Sequence, residues 1–200
     1  MPSLSSNYVH SVVVNGVVYT VSAYRKAVGR DFRSRGIDGN ERFYIAGREI
    51  GRIHQLSKAY APDKYKRRQW YENPHLLKAP DIFGGYNTEL NKKFRSFMSQ
   101  MNDLPKDPKE FGLVHGDFLF SNYFFDDDNN ITVFDFDECE YSWYMYDIAV
   151  CMYYYLLGAD PRELDSKIKE AEDMLYYLLL GYVEQCEVDL ICLKNMDLLF

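Results

Sequence analysis

Two short stretches carry the side chains best suited to chemistry: Leu113-Val114-His115-Gly116-Asp117-Phe118-Leu119-Phe120-Ser121-Asn122 and Ile131-Thr132-Val133-Phe134-Asp135-Phe136-Asp137. Moving a phosphoryl group onto a hydroxyl needs an acceptor for the hydroxyl proton and oxygen ligands for a Mg²⁺ bridging the phosphates. Asp117, the amide oxygen of Asn122 and a second carboxylate at Asp135 supply those groups in that order. Asp126, Asp128 and Asn130 lie between the stretches and superficially suggest a calcium loop. Ile131 stands where such a loop needs its sharp-turn glycine, so the segment reads as a turn between strands.

Strands flanking a loop must position these groups. Residues 111–114 read as a short strand entering the Asp117 loop, and residues 123–125 and 131–134 as strands around the polar turn 126–130. Upstream, Val12-Val13-Val14-Asn15-Gly16-Val17-Val18-Tyr19 is a hairpin signal. Asn-Gly supplies the two positive-φ residues of a tight turn, and the second strand runs to about Ala23. Residues 29–40 form a polar connection. Phe43, Ala46, Ile50 and Ile53 recur at helical spacing within 42–60. Pro62, Pro74 and Pro80 punctuate a loop-rich stretch, and a helix over 88–101 turns Leu90, Phe94, Phe97 and Met101 inward. After Trp143 the chain reads as helical to its end. Asp160-Pro161-Arg162-Glu163 marks a helix start, with an Asp cap, Pro in the first turn and Glu three residues after the cap. This order predicts an α+β fold that is mostly α.

The ordered set His115-Gly116-Asp117, Asn122 and Asp135-Phe136-Asp137 resembles the aminoglycoside phosphotransferase and choline kinase superfamily, a branch of the kinase-like fold. Protein kinases place their catalytic-loop Asp and metal-binding Asn at the same separation. The likeness continues through Trp143-Tyr144-Met145-Tyr146-Asp147-Ile148-Ala149, similar to the helix start whose Asp buttresses the catalytic loop. It reaches back to Gly47-Arg48-Glu49-Ile50-Gly51-Arg52-Ile53-His54-Gln55-Leu56 and to Tyr19-Thr20-Val21-Ser22-Ala23-Tyr24, similar to the family's last N-lobe strand and hinge.

The resemblance implies a kinase-like C-terminal lobe over residues 29–200, with its catalytic loop at 113–137, and a residual N-lobe hairpin and hinge over 1–28. It implies that Asp117 is the catalytic base, that Asn122 and Asp135 hold Mg²⁺, and that backbone groups of Ser22, Ala23 and Tyr24 meet the base of ATP or GTP. His115 and Asp147 are architectural on this reading. Asp137 either touches the metal or hydrogen-bonds the loop. Complete relatives carry a phosphate-covering loop, a strand Lys and a helix Glu before this hairpin. Little chain precedes Val12, and Asp197-Leu198-Leu199-Phe200 ends abruptly, so a truncated chain with very little turnover of its own is expected. A small sheet built on the hairpin would be unusually exposed, and association of two copies is one way to cover it.

Composition bounds the alternatives. A 200-residue chain with 47% hydrophobic residues supports one well-packed domain. A net charge of -7 argues against nucleic-acid binding. The basic cluster at residues 64–68 reads as a solvated face, and His54 and His75 have no evident partners. Cys139, Cys151, Cys186 and Cys192 show no metal-ligand spacing, and no stretch is long enough to span a bilayer. A cytoplasmic protein with reduced cysteines is the simplest account. Asp137, Glu138 and Glu140, with Tyr141, Trp143, Tyr144 and Tyr146, would suit a small cationic acceptor such as an aminoglycoside or choline. Helix packing is the competing role for those aromatics. Two other functions compete. One is a non-catalytic kinase-like remnant that binds a metabolite or partner. The other is a haloacid-dehalogenase-type phosphatase built on Asp135 and Asp137, which would need a parallel sheet after the motif.

Overall fold

The computed structural model describes residues 9–31, 39–64, 66–84, 88–157, 160–188 and 193. Its body is a pair of long helices, α1 (Gly39–Lys58) and α5 (Leu164–Tyr182), with α4 (Met145–Leu156) against α5. The helix pair crosses closely because glycines stand at the contact. A Cβ on Gly47 would come within 2.0 Å of the Leu178 carbonyl oxygen, and one on Gly181 within 2.0 Å of that of Tyr44. Phe43, Ala46 and Ile50 of α1 are buried there with Met174 and Leu178 of α5, as the helical spacing predicts.

Three two-stranded antiparallel sheets surround this body. The first is the hairpin β1 (Val9–Val14) and β2 (Val17–Ser22). Asn15 and Gly16 both take positive φ (52° and 81°), as a tight turn of this kind requires. The strand ends at Ser22 rather than Ala23, and every strand residue except His10 is exposed. The second sheet pairs β3 (Phe111–Val114) with β6 (Glu140–Trp143), and the third pairs β4 (Tyr123–Phe125) with β5 (Ile131–Val133). Phe118, Tyr123 and Phe125 are fully buried and link this third sheet to the helical core. The fold is α+β and mostly α, as the order of elements predicts.

Several local expectations are corrected. The loop-rich stretch contains a 3₁₀ turn (Trp70–Glu72) and helix α2 (Pro74–Ile82). Asn73 caps α2 by accepting from the His75 amide, and Pro74 sits in its first turn. In α3 (Glu89–Asp103) the inward stripe begins at buried Asn91, whose Nδ2 donates to the Pro80 carbonyl at 2.9 Å, and Leu90 is exposed. Strand β6 falls where aromatics read as helix-packing residues. Its partner β3 lies far back in sequence, and Tyr141 also donates its amide to the Arg68 carbonyl at 2.9 Å. Asp160 caps no helix: its carboxylate accepts from the Arg162 amide and pairs with the Arg162 guanidinium, and α5 starts at Leu164. Residues 197–200 and Cys192 lie outside the described residues. Among the described residues no helix is long and apolar enough to cross a membrane.

Candidate active site

The loop between β3 and β4 hangs from one buried carboxylate. Asp147, in the first turn of α4, accepts from the His115 amide at 2.9 Å and the Gly116 amide at 2.7 Å. Gly116 is required there twice over. Its φ is 82°, and a Cβ would lie 2.4 Å from the Glu138 carbonyl oxygen. Burial pushes the Asp147 carboxyl up. The hydrogen bond from His54 and the amide of His115 outweigh it, so the group is held below its ordinary value.

His54 and Tyr182 extend this suspension. His54 Nε2 lies 2.9 Å from Asp147 Oδ2, and its Nδ1 lies 2.9 Å from the Tyr182 hydroxyl. A carboxylate only accepts, so Nε2 donates to Asp147, and Nδ1 is hydrogen-bonded to the Tyr182 hydroxyl. The expectation that His54 lacks a partner is therefore corrected. Its place four residues beyond buried Ile50 on α1 was the available signal.

His115 is fully buried and uses both ring nitrogens on backbone. Nδ1 accepts from the Asp117 amide at 3.2 Å, and Nε2 donates to the Phe134 carbonyl at 3.1 Å. The ring thus ties the Asp117 loop to the strand that leads into Asp135. Asn122 turns its amide nitrogen toward Asp117, donating to the carbonyl at 2.9 Å and to Oδ2 at 2.7 Å. The Phe134 amide donates to the Asn122 carbonyl at 3.0 Å, which brings Asp135 beside the pair. Burial raises the Asp117 carboxyl above its ordinary value, the Asn122 bond opposes this, and Asp135 and Glu138 add to the rise.

Asp135 is exposed in a left-handed conformation (φ 65°, ψ 58°), and its carboxylate has no hydrogen bond among the described residues. The Asn122 nitrogen is committed to Asp117, and its Oδ1 accepts from the Ser121 hydroxyl at 3.2 Å with one lone pair to spare; that lone pair and the Asp135 carboxylate are available to a cation. Among the described residues no group of three or more His, Cys, Asp or Glu side chains gathers as a metal cage. An amide oxygen plus a carboxylate instead fits a hydrated Mg²⁺ that shares its remaining positions with phosphates. Asp137 makes no side-chain bond to the loop; only its carbonyl is engaged, accepting from Arg67 at 3.2 Å. Ser22 closes β2 opposite Val9, and Ala23 and Tyr24 follow it in exposed chain that leads to Arg30, paired with Phe125.

The basic cluster is not simply a solvated face. Arg68 pairs with both Glu138 and Glu140, its Nε reaching Glu140 at 2.8 Å. It thereby holds the acidic segment that follows Asp135. The acids at Asp135, Asp137, Glu138 and Glu140 needed a counter-charge, and that was the missed signal. Of the four aromatics, Trp143 and Tyr144 are packed in the core. Trp143 donates its indole N–H to Pro105 at 2.8 Å, and Tyr144 lies against His54 with ring centroids 4.8 Å apart. After Asp137 the only further strand is antiparallel β6, so among the described residues the parallel sheet of a dehalogenase-type phosphatase is absent.

The comparisons with known proteins agree with this geometry. The profile of the phosphotransferase enzyme family matches residues 29–177. The amicoumacin kinase of Bacillus subtilis (strain 168) is 32% identical over 193 residues, which are 94% of this chain and 56% of that protein. The solved structure of the amicoumacin kinase hAmiN in complex with AMP-PNP, Ca²⁺ and Ami superposes with a TM-score of 0.83 at 26% identity, covering 98% of this chain and 58% of that one. A microcompartment-associated aminopropanol kinase shares the fold, with a TM-score of 0.74 at 21% identity over 100% of this chain and 62% of that one. The chain therefore spans little more than half the length of these relatives. On the family match and the site it contains, the chain belongs to the phosphotransferase enzyme family.

Proposed function

We propose that this chain forms the catalytic lobe of a small-molecule kinase that moves the γ-phosphate of ATP or GTP to a hydroxyl of a small acceptor. The observation that carries the reading is the bond from Asn122 Nδ2 to Asp117 Oδ2, made in a loop that His115 ties to the Asp135 strand. It orients the Asp117 carboxylate, whose raised proton affinity suits it to take a proton from an acceptor hydroxyl. Asn122 Oδ1 and Asp135 would hold Mg²⁺, which neutralises phosphate charge when bound. His115 and Asp147 fix the loop so that Asp117 needs no reorganisation during transfer.

Backbone groups of Ser22, Ala23 and Tyr24 meet the nucleotide base on this reading. The largely exposed hairpin is covered by further sheet or by a second copy of the chain. The buried free thiols of Cys139, Cys151 and Cys186 fit a reducing, cytoplasmic setting. The test is single-turnover transfer from ATP and GTP to a panel of hydroxylated small molecules, using a version extended to its relatives' length. Asp117→Asn is expected to slow transfer by about 10²–10⁴ while nucleotide binding persists. Transfer as fast as wild type in Asp117→Asn would overturn the assignment. Nucleotide binding without transfer in the wild type would favour the non-catalytic remnant.

A further inference from the structure

Asp135 takes a left-handed backbone conformation (φ 65°), which a residue with a Cβ keeps only where its surroundings impose it. Here the chain is gripped on both sides of it. Upstream, the Phe134 amide donates to the Asn122 carbonyl at 3.0 Å, and the Phe134 carbonyl accepts from His115 Nε2 at 3.1 Å. Downstream comes the 3₁₀ turn Phe136–Glu138, which lays the Phe136 ring against His115 with centroids 4.5 Å apart. The Cys139 amide closes this turn by donating to the Phe136 carbonyl at 3.2 Å. Its far end is held from a distant part of the chain, where the Arg68 guanidinium pairs with the Glu138 carboxylate.

Arg68 is itself anchored. Its carbonyl accepts from the Tyr141 amide at 2.9 Å, Gln69 bridges to Tyr141, and Trp70 is buried against Trp143. Arg68 Nε donates to Glu140 Oε2 at 2.8 Å, and buried Glu140 also accepts from Asn73 Nδ2 at 3.1 Å. Glu140 stands opposite Val114, the last strand residue before His115-Gly116-Asp117. One guanidinium fork therefore ties the end of the turn after Asp135 to the strand pair that carries the Asp117 loop. A lysine ammonium lacks that two-armed geometry. The Glu138 side chain is 46% exposed, so its pair with Arg68 adds little to stability. What the pair fixes is where the turn stands. Exposed Arg67 adds a single bond to the same turn, at the Asp137 carbonyl.

We propose that Arg68 is a positioning residue for the cation site. Through Glu138 it sets the place of the Asp135 carboxylate relative to Asn122 Oδ1, and with it the affinity for a divalent ion. The inference rests on the kinase reading in taking Asp135 as a ligand; the grip on residues 136–138 is independent of that reading. Loss of a residue that orients a metal ligand from behind typically lowers metal affinity by about tenfold or more.

Two substitutions break the Arg68–Glu138 pair while conserving net charge, so a lost anion near the ion cannot imitate the effect. Arg68→Lys keeps a cation for buried Glu140 without the fork, and Glu138→Asp keeps the carboxylate on a shorter stem. Two readouts are taken on the chain. One is hydrogen exchange of the Cys139 amide without metal, with buried Ile148 of α4 as reference. The other is the Mn²⁺ concentration that half-broadens the Asn122 side-chain amide with AMP-PNP present. Both variants are expected to speed exchange at Cys139, leave Ile148 unchanged and raise the Mn²⁺ midpoint by about tenfold. The thermal midpoint of Glu138→Asp should match wild type, which separates positioning from unfolding. Unchanged Cys139 exchange in Glu138→Asp would overturn the grip. Faster exchange with an unchanged Mn²⁺ midpoint would overturn the positioning role. A wild type that binds no Mn²⁺ would overturn the reading of Asp135 as a ligand and the positioning role with it, while Cys139 exchange still decides the grip.

Discussion

The hairpins β1–β2 and β4–β5 are built on the same local plan and end in opposite circumstances. Each joins two antiparallel strands through a polar turn with an Asn at positive φ, Asn15 in one and Asn129 in the other. In β4–β5, Tyr123 and Phe125 are fully buried against the helical core, and the segment delivers Asn122 and Asp135 to the site. In β1–β2, seven valines on both faces are exposed, from Val12 at 46% to Val13 at 67%. An isolated two-stranded hairpin is marginal in water. Strand propensity and turn chemistry thus specify a hairpin equally well in both places. Burial against the helices distinguishes the hairpin that carries the candidate site's groups.

Removing the suspension of the buried region should have the largest effect. Asp147→Asn replaces an acceptor that serves His54 and two backbone amides, and is expected to cost about 3–5 kcal/mol in urea unfolding. The effect should depend on pH. The folded Asp147 carboxyl lies below its ordinary value, so its stabilisation is present above the unfolded pKa and is lost as pH falls through the folded one. A loss under about 1 kcal/mol at neutral pH would show that the loop does not depend on this carboxylate.

The two hairpins should separate clearly by substitution. Phe125→Ala opens the core beneath β4 and should cost about 3–5 kcal/mol, whereas Val18→Thr on the exposed hairpin should stay within about 0.5 kcal/mol. Comparable losses at the two sites would mean that β1–β2 is covered in solution.

A smaller effect, opposite in sign, belongs to Asp117. Its folded carboxyl is raised by burial and by neighbouring acids, so its charged form opposes folding. Asp117→Asn should therefore be neutral or mildly stabilising at neutral pH, by thermal melting. The difference from wild type should shrink as pH falls through the raised folded value toward the unfolded one. A clear destabilisation would make Asp117 a structural residue.

Much of the site was legible because it is local. Asp117 and Asn122 share one loop, and Gly116 announces both the positive φ and the close approach to Glu138. The hairpin turn at Asn15-Gly16 was equally local. What escaped came from distant pairings. His54 finds Asp147 across 93 residues and Tyr182 across 128, and β6 is recognisable as a strand only once β3 is beside it. Arg68 read as solvated because its partners, Glu138 and Glu140, are brought to it by that same sheet. At Leu90 the helical phase was off by one residue, since a buried polar Asn91, whose amide nitrogen donates to Pro80, imitates an exposed position.

The central claim is that Asn122 and Asp135 share one cation beside Asp117. Paramagnetic broadening by Mn²⁺ with AMP-PNP, read on the Asn122 side-chain amide and the backbone amides of the loop, tests it most directly. Broadening is expected to centre on Asn122, Asp117 and Asp135 in the wild type and to disappear in Asp135→Asn while the rest of the spectrum is kept. Undiminished broadening of Asn122 in Asp135→Asn, or broadening centred on the acids around Glu138 instead, would contradict the account.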